Sequence, residues 1–392
     1  MRPLLAVLPL LALSLAVAQS DEDPAQPLRE CGGTAALGLP AGVQPGLYRG
    51  TLAGKTILLQ LLASRPSQAE SDPADRYAYG VHGIDITLNR GRSAAGGLLL
   101  AEFKRDYPKL NATGCFELTG AAGKLSGSWR APGSQKRYPV IFSPVKLAAE
   151  PLSLPATPGL LALRARDPFM FLKLNHPWKA AGSAVTEPLS QVSYPRVAGG
   201  SAALNAALQD QQLSLAAQLL DCISLDLAFT GHADGGADAN SNDQLNFTDA
   251  KLTLKSAQLL SVYNSSYLYC GGAHPNFVGE GRTYDLSSGQ VVPLAGKPSS
   301  IWPALTPAAL QKLYLARYPR TGDAECKDAV RMNDTPDADS FQLYLTRSGL
   351  TLAPAFLPHV DTACGEEVTL PYADLRAYAA ANGRYFRDLY PR

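Results

Sequence analysis

The chain has 392 residues, a length that favours two domains of ordinary size over one. Its formal net charge is only +1, so charge gives no reason to expect a nucleic acid or an anionic membrane as partner. Charged residues make up 18% of the chain, whereas glycines number 34 and prolines 30, a balance that favours short strands and tight turns over long helices.

The N-terminus has the three-part layout of a secretory signal peptide. Arg2 supplies a positive charge, residues 4–15 are almost purely apolar, and residues 16–18 form a small-residue cleavage site. The apolar run is shorter than the ~20 residues that span a bilayer. We therefore expect residues 1–18 to be removed near Ala18, and the mature chain to be secreted or periplasmic, without a membrane span.

Six cysteines in an exported chain predict disulfides. Six cysteines allow about 15 complete pairings, but two of them lie in the first half of the chain and four in the second. We predict the pairs Cys31–Cys115, Cys222–Cys270 and Cys326–Cys364. Metal binding by thiolates is the alternative, and the lack of a CxxC pair weighs against it.

The first half of the mature chain predicts a β domain. Residues 19–45 form an acidic, proline-containing leader, and residues 46–145 contain short apolar runs separated by turn residues. The runs occupy residues 47–52, 56–62, 76–81, 86–88, 98–103, 115–118, 125–129 and 138–142. Their spacing of roughly 8–14 residues is typical of an antiparallel sandwich or barrel.

Residues 146–167 are rich in proline and predict an interdomain linker, because proline fits neither a central strand nor a helix interior. Residues 168–392 then mix helices and strands. We predict a helix at 201–220 with a break near Ser214, a second helix that begins at Thr306–Pro307, and a last helix at 372–380. The predicted strands lie at 222–229, 251–254, 258–269 and 368–370, and a hairpin is predicted at 341–352. Thr306 is the expected N-cap of the second helix, with Pro307 in its first turn. This order predicts an α+β domain.

One stretch of the second domain, residues 269–276, combines a cysteine, two glycines and His274. Pro275 restricts the backbone of His274 and holds the imidazole in a defined place. His274 could carry a proton or donate a hydrogen bond to a sugar, with Asp285 or Asp226 as the orienting carboxylate. Alternatively, the imidazole only locks the turn.

Several pieces of residues 168–392 resemble a known bacterial domain. They are the GGAHPN motif at 271–276, the YDLSSG run at 284–289, the hairpin at 341–352 and the LPYADL run at 370–375. In this order they resemble the extracytoplasmic domain of unknown function that lysozyme-sensing anti-sigma factors share with some peptidoglycan deacetylases. The first domain resembles small exported bacterial β-modules, through Gly46, Tyr48 and Gly50 at its start and Gly127 and Trp129 near its end.

The resemblance implies an envelope location and a binding role. The expected partner is a cell-wall glycan or a wall-acting protein such as lysozyme, and the expected binding residues are His274, Asn276, Tyr269 and Tyr284. No cofactor is expected. One alternative is an envelope hydrolase acting on peptidoglycan or polysaccharide, with His274 and Asp285 in its site. The sequence has no GxSxG or HExxH motif and no SxxK motif accompanied by its partner motifs, which disfavours a hydrolase. A structural module without small-ligand binding is the other alternative.

A polar loop at residues 232–243 is the one weak candidate for a metal site. Its oxygen-bearing side chains are Asp234, Asp238, Asn240, Asn242 and Asp243. Closely spaced oxygen ligands suit Ca²⁺, but their spacing does not match an EF-hand. A solvated hairpin tip is the simpler interpretation.

Overall fold

The structure is a computed structural model that describes residues 22–64, 74–106, 109–230, 246–271, 274–319, 324–331, 336–337 and 339–391. The signal peptide predicted at residues 1–18 lies outside these ranges. So do the predicted metal candidates Asp234, Asp238, Asn240 and Asp243. In the ranges that are described, no helix is both long enough and apolar enough to cross a bilayer.

The first region folds as a closed antiparallel barrel, which confirms the mainly β prediction. Helix α1 (Gln26–Glu30) and strand β1 (Gly33–Ala35) come first and lie on the outside of the barrel, where Cys31 is bonded to Cys115. The eight barrel strands follow in chain order: β2 (Gly46–Leu52), β3 (Lys55–Leu61), β4 (Asp75–Tyr79), β5 (Asp85–Ser93), β6 (Leu98–Asp106), β7 (Lys109–Ala121), β8 (Lys124–Arg130) and β9 (Tyr138–Pro144). Each strand pairs with its successor, and β9 pairs with β2 to close the sheet.

The barrel is filled by the side chains that alternate inward along each strand, including Leu59, Leu100, Phe116 and Phe142. One end of the barrel is closed by a fully buried ion pair. The Arg90 guanidinium contacts both carboxylate oxygens of Asp75, at 2.5 and 2.7 Å, and also donates to the carbonyl oxygens of Leu37 and Leu62. These donors neutralise a carboxylate that would otherwise be very costly to bury.

The segment predicted to be a linker is partly helical, which corrects the prediction for residues 146–167. Helix α2 (Pro158–Arg166) begins there, with Pro158 in its first turn, where a missing N–H costs nothing. The Thr157 hydroxyl caps the helix by accepting a hydrogen bond from the Leu160 amide at 3.3 Å. Leu160 and Leu163 are buried against the core, so this part of the segment is not an extended spacer.

Helix α3 (Pro168–Leu174) attaches the second region to the barrel. Phe169 is fully buried against Leu58 and Ala78 on the outside of the barrel wall. The Lys173 ammonium lies 2.6 Å from the Asp85 carboxylate, and both side chains are buried. The domain boundaries near residues 146 and 168 stay predictions.

A small sheet comes next, made of β10 (Lys179–Ala181), β11 (Ala184–Thr186) and β12 (Ser193–Pro195). The long helix α4 (Ala202–Thr230) follows it. The strand predicted at residues 222–229 is therefore wrong, and the expected break near Ser214 is absent. Leu215, Leu219 and Cys222 recur at helical spacing and pack into the core, whereas Leu225 is 50% exposed. The apparent alternation of residues 222–229 was a chance feature of one helix end.

The remainder of the chain confirms the α+β prediction. Its elements are β13 (Phe247–Lys255), β14 (Leu259–Leu268), β15 (Asn276–Asp285), α5 (Pro307–Arg317), α6 (Ala324–Arg331), β16 (Phe341–Leu345), β17 (Gly349–Pro354), β18 (Val368–Pro371), α7 (Tyr372–Leu375) and α8 (Phe386–Leu389). Strands β13–β15 form one antiparallel sheet and β16–β18 another. The Thr306 cap is confirmed, because its hydroxyl accepts from the Ala309 amide.

Two details of the second region complete the comparison with the sequence. The pairs Cys222–Cys270 and Cys326–Cys364 are formed, so all three predicted disulfides are confirmed. The last helix, predicted at residues 372–380, is shorter than expected: one α-turn is followed by a 3-10 turn that ends at Tyr378.

Candidate functional site

The stretch around His274 connects β14 to β15. Leu268 pairs with Asn276 where the two strands meet the connection, and the disulfide at Cys270 anchors it to α4. The Tyr269 amide donates to the Asn246 side-chain oxygen at 2.6 Å. The His274 side chain is exposed, with its Nδ1 3.3 Å from the carbonyl oxygen of Pro275. His274 and Asn276 are thus accessible at one end of the sheet, as a binding role requires.

Asp285 lies at the opposite end of the same strand. Asn276 pairs with Leu268, whereas Asp285 pairs with Leu259, nine positions further along. At about 3.4 Å per residue, the two ends of β15 are about 30 Å apart. The predicted pairing of His274 with Asp285 is therefore wrong, because an extended strand separates residues that are close in the sequence.

Asp285 instead organises the turn that follows β15. Its carboxylate accepts hydrogen bonds from the amides and hydroxyls of Ser287 and Ser288, and it contacts the Tyr385 hydroxyl and the Arg384 guanidinium at 3.0 and 2.8 Å. Burial alone would raise the pKa of Asp285, but these hydrogen bonds outweigh it and hold the pKa below the usual value. The carboxylate is an ionised structural acceptor, which explains the YDLSSG sequence locally.

Tyr284 is also structural in position. Its side chain points to the α4 side of the sheet and is only 1% exposed, within the same core as Leu260 and Val262. A ligand at the surface cannot contact it. In the described part of the chain, no group of three or more His, Cys, Asp or Glu side chains is close enough to hold a metal ion.

The other face of the sheet carries a row of three aromatic side chains. Phe247 of β13 pairs with Tyr267 of β14, which pairs in turn with Phe277 of β15. The Phe247 and Tyr267 rings stack, with centroids 6.0 Å apart and planes inclined by 13°. Phe277 is 58% exposed and Phe247 42% exposed, while Tyr267 between them is half-buried. Exposed apolar groups in one row across a sheet are a typical feature of binding surfaces.

Two glycines beside this row let neighbouring groups approach the sheet closely. A Cβ at Gly279 would lie 2.3 Å from the Tyr263 hydroxyl oxygen, and a Cβ at Gly281 would lie 2.1 Å from the Leu343 carbonyl oxygen. Strand β16 therefore approaches the sheet closely at Gly281, and the hydroxyl end of the Tyr263 ring lies against Gly279. The row at the far end of the sheet stays uncovered.

Between the row and β16–β17 lies a cleft of ≈ 350 Å³. Phe277 forms one wall and Leu357 another, and Tyr263, Gln342 and Glu367 contribute polar groups. The cleft thus combines an apolar wall with hydrogen-bonding groups in a small volume, as ligand sites commonly do.

A pair of tyrosines orders the polar side of this cleft. Tyr263 stacks on Tyr344 with ring centroids 4.4 Å apart, and the Tyr344 hydroxyl donates to the exposed Glu367 carboxylate at 2.5 Å. Burial, together with the Glu367 charge, raises the pKa of Tyr263 to about 12. Burial and the hydrogen bond to Glu367 likewise raise the pKa of Tyr344. Both hydroxyls therefore remain protonated at physiological pH.

Reasoning from the sequence did not find the aromatic row, although it predicted the strand that contains Tyr267. The signal was present, because Phe277, Gly279 and Gly281 alternate along what became β15. Their alignment with Phe247 depends on strand register, which the sequence does not display.

Comparisons with known proteins add little. No protein-family profile and no curated protein matches the chain. Among solved structures, the chain is similar to a DUF3298 family member from Bacteroides fragilis, with 17% identity and a TM-score of 0.33, over 49% of this chain and 78% of that one. It is also similar to a DUF3298 family protein from Pseudomonas aeruginosa, with 23% identity and a TM-score of 0.25, over 35% of this chain and 62% of that one.

Both solved structures are described as members of the DUF3298 family. At these TM-scores neither likeness supports an inference about activity.

Proposed function

We propose that this protein is an exported envelope protein that binds a cell-wall glycan on the exposed face of the β13–β15 sheet. The observation that carries the proposal is the row Phe247, Tyr267 and Phe277, which stands open to solvent beside a cleft with polar groups. Three disulfides fit an oxidising compartment outside the cytoplasm.

The chemistry of a glycan matches this surface. One face of a pyranose ring carries mainly C–H groups, which pack against aromatic rings, and the hydroxyls at its edge need hydrogen-bond partners. Neighbouring strands are about 4.8 Å apart, so the row spans about 10 Å, enough for an extended sugar chain rather than a single ring. The hydroxyl of Tyr263, the Gln342 amide and the Glu367 carboxylate would then bind sugar hydroxyls along the cleft.

A hydrolase is less well supported than a binding protein. Asp285, proposed as partner of His274, lies at the far end of β15. His274 and Asn276 border the same end of the sheet as the aromatic row, so in our proposal they contact the glycan without acting on it.

The test is co-sedimentation of the purified mature protein with insoluble peptidoglycan, with lysozyme immobilised on resin as a parallel arm. We expect retention on peptidoglycan, and a loss of affinity of about 3- to 10-fold for each of Phe277→Ala and Phe247→Ala, equivalent to about 0.7–1.4 kcal/mol per ring. Ile141→Ala is a matched control, because Ile141 is 64% exposed on the outside of the barrel, away from the row.

Three results would contradict the proposal. The first is a failure of the protein to sediment with peptidoglycan, and the second is binding of the two row variants that equals that of the Ile141→Ala control. Retention on lysozyme resin without retention on peptidoglycan would replace the glycan by a protein partner. Thermal melting of each variant separates lost contacts from lost folding.

A further inference from the structure

The end of the barrel opposite the Arg90–Asp75 pair is called the open end here, because most of its inward-facing side chains are only half-buried. It differs from the Arg90–Asp75 end in chemistry. Its inward-facing layer consists of Tyr79, Ile86, Glu102, Trp129 and Tyr138. The three aromatic rings and Ile86 of this layer are only half-buried, whereas the layers beneath them are fully buried. A ligand that approaches along the barrel axis therefore meets three aromatic rings around a carboxylate.

Glu102 is the unusual member of this layer, because it is a carboxylate inside an apolar barrel and is only 6% exposed. Its Oε1 accepts two hydrogen bonds, from the Tyr77 hydroxyl at 2.7 Å and from the Trp129 indole N–H at 2.6 Å. Its Oε2 accepts none from the described residues, and none of their Lys or Arg side chains forms an ion pair with Glu102. Oε2 lies directly against Gly114, since a Cβ there would lie 2.3 Å from it.

A carboxylate inside an apolar barrel, without a Lys or Arg partner among the described residues, is costly to ionise, and such groups concentrate at functional sites. In contrast, both carboxylate oxygens of Asp75 at the other end accept hydrogen bonds from Arg90. Burial raises the pKa of Glu102 despite its two hydrogen bonds. A cation with an N–H donor would offset that cost.

The aromatic rim already attracts such a cation from within the chain. The Lys136 ammonium lies 4.9 Å from the centroid of the Tyr138 ring, in the geometry of a cation–π contact. The Trp129 and Tyr138 rings are adjacent, with centroids 5.7 Å apart. Lys136 is exposed and remains at the rim, so Glu102 stays beyond its reach.

We propose that the open end of the barrel binds a primary or secondary alkylammonium group, with its N–H directed to Oε2 of Glu102 and its charge against the rings of Trp129 and Tyr138. The alkyl part of the ligand would pack on Tyr79 and Ile86. Lys136 would compete with the ligand for the Tyr138 ring face. This site is independent of the glycan surface, which lies on a different sheet.

The test uses n-butylammonium as probe and 1-butanol as its neutral counterpart of equal length, titrated against the mature protein while the Trp129 indole N–H signal is followed by NMR. We expect n-butylammonium to shift this signal saturably and 1-butanol to bind at least 10-fold more weakly. Glu102→Gln should weaken n-butylammonium binding by at least 10-fold. Lys136→Ala should strengthen it by about 2- to 5-fold, since an exposed cation–π contact is worth about 0.5–1 kcal/mol.

The Lys136→Ala result separates a binding site from a purely structural carboxylate, because a structural role of Glu102 gives Lys136 no influence on ligand affinity. Equal binding of 1-butanol would overturn the assignment of a cation. No saturable shift at 10 mM probe, roughly the weakest affinity that such a site should have, would overturn the site itself. Circular dichroism melts confirm that both variants are folded.

Discussion

Replacing Glu102 by Gln should stabilise the barrel, and only above acidic pH. Gln keeps an oxygen that can accept from Tyr77 and Trp129, and its amide nitrogen takes the place of Oε2, which accepts no hydrogen bond from the described residues. The substitution therefore removes the buried negative charge while the geometry of both hydrogen bonds is kept.

The sign follows from the direction of the pKa shift. The pKa of Glu102 in the folded protein is raised above the ordinary value of 4.5, so the folded state favours the protonated acid. That stabilisation is complete below the unfolded pKa and is lost as the pH rises through the folded pKa. The wild-type protein should therefore lose stability above about pH 4.5, whereas the Gln variant should not.

The magnitude comes from two opposing effects. Desolvation of an ionised carboxylate costs several kcal/mol, and Gln avoids it. Gln also turns two charge-assisted hydrogen bonds into neutral ones, which loses about 1–1.5 kcal/mol for each. We expect the variant to be about 1–3 kcal/mol more stable than the wild type at pH 8, and of equal stability at pH 4.

Hydrogen exchange of β6 and β8 peptides in urea, measured from pH 4 to pH 8, reports the opening free energy of the barrel alone. Glu117→Gln is the matched control, because Glu117 makes an exposed ion pair with Arg137 at 3.0 Å on the outside of the barrel, a kind of contact worth at most about 1 kcal/mol. A Glu102→Gln variant that is less stable than the wild type at pH 8, or a stability difference that does not change with pH, would refute the reasoning.

Three further predictions concern stability. Arg90→Leu should destabilise the protein by about 3–5 kcal/mol in urea melts, because Asp75 is left buried without its cation. The added change Asp75→Leu should recover most of this loss. If stability does not recover, the loss comes from packing and not from the unpaired charge. Loss of the disulfide through Cys222→Ala with Cys270→Ala should cost about 4 kcal/mol, from the closure entropy of a loop with a sequence separation of 48, and unchanged melting would refute that account. Gly281→Val should lower the melting temperature sharply, because its Cβ would lie 2.1 Å from a β16 carbonyl oxygen; a melting temperature equal to that of the wild type would show that β16 can move away.

Much of the architecture could be predicted from the sequence because its causes are local. Strand positions in the barrel follow from alternation and turn residues, and the Thr306 cap follows from the residues next to it. The three disulfides follow from the order of the cysteines in a chain that is predicted to be exported. Alternation failed at residues 222–229, where a long helix continues because its buried side, including Leu219 and Cys222, packs on the sheet. At these residues the secondary structure is determined by tertiary packing and not by the local pattern of residues.

The two candidate sites could not be predicted from the sequence, for a different reason. Tyr77 and Trp129 lie 25 and 27 residues from Glu102 along the chain, and closure of the barrel brings all three together. Phe247 and Phe277 share a row only because β14 pairs with both of their strands, in a register that hydrogen bonds and core packing select.

The sequence by itself therefore determined the fold class, the disulfides and most of the strands, since each of these depends on side-chain period, turn chemistry or cysteine order. Only the tertiary structure decided which side chains meet. It separates His274 from its predicted partner Asp285 by the length of β15, about 30 Å. It also brings together the side chains of an aromatic row and those around a buried carboxylate. Contacts across strands depend on register and closure, and neither is encoded by the spacing of residues along the chain.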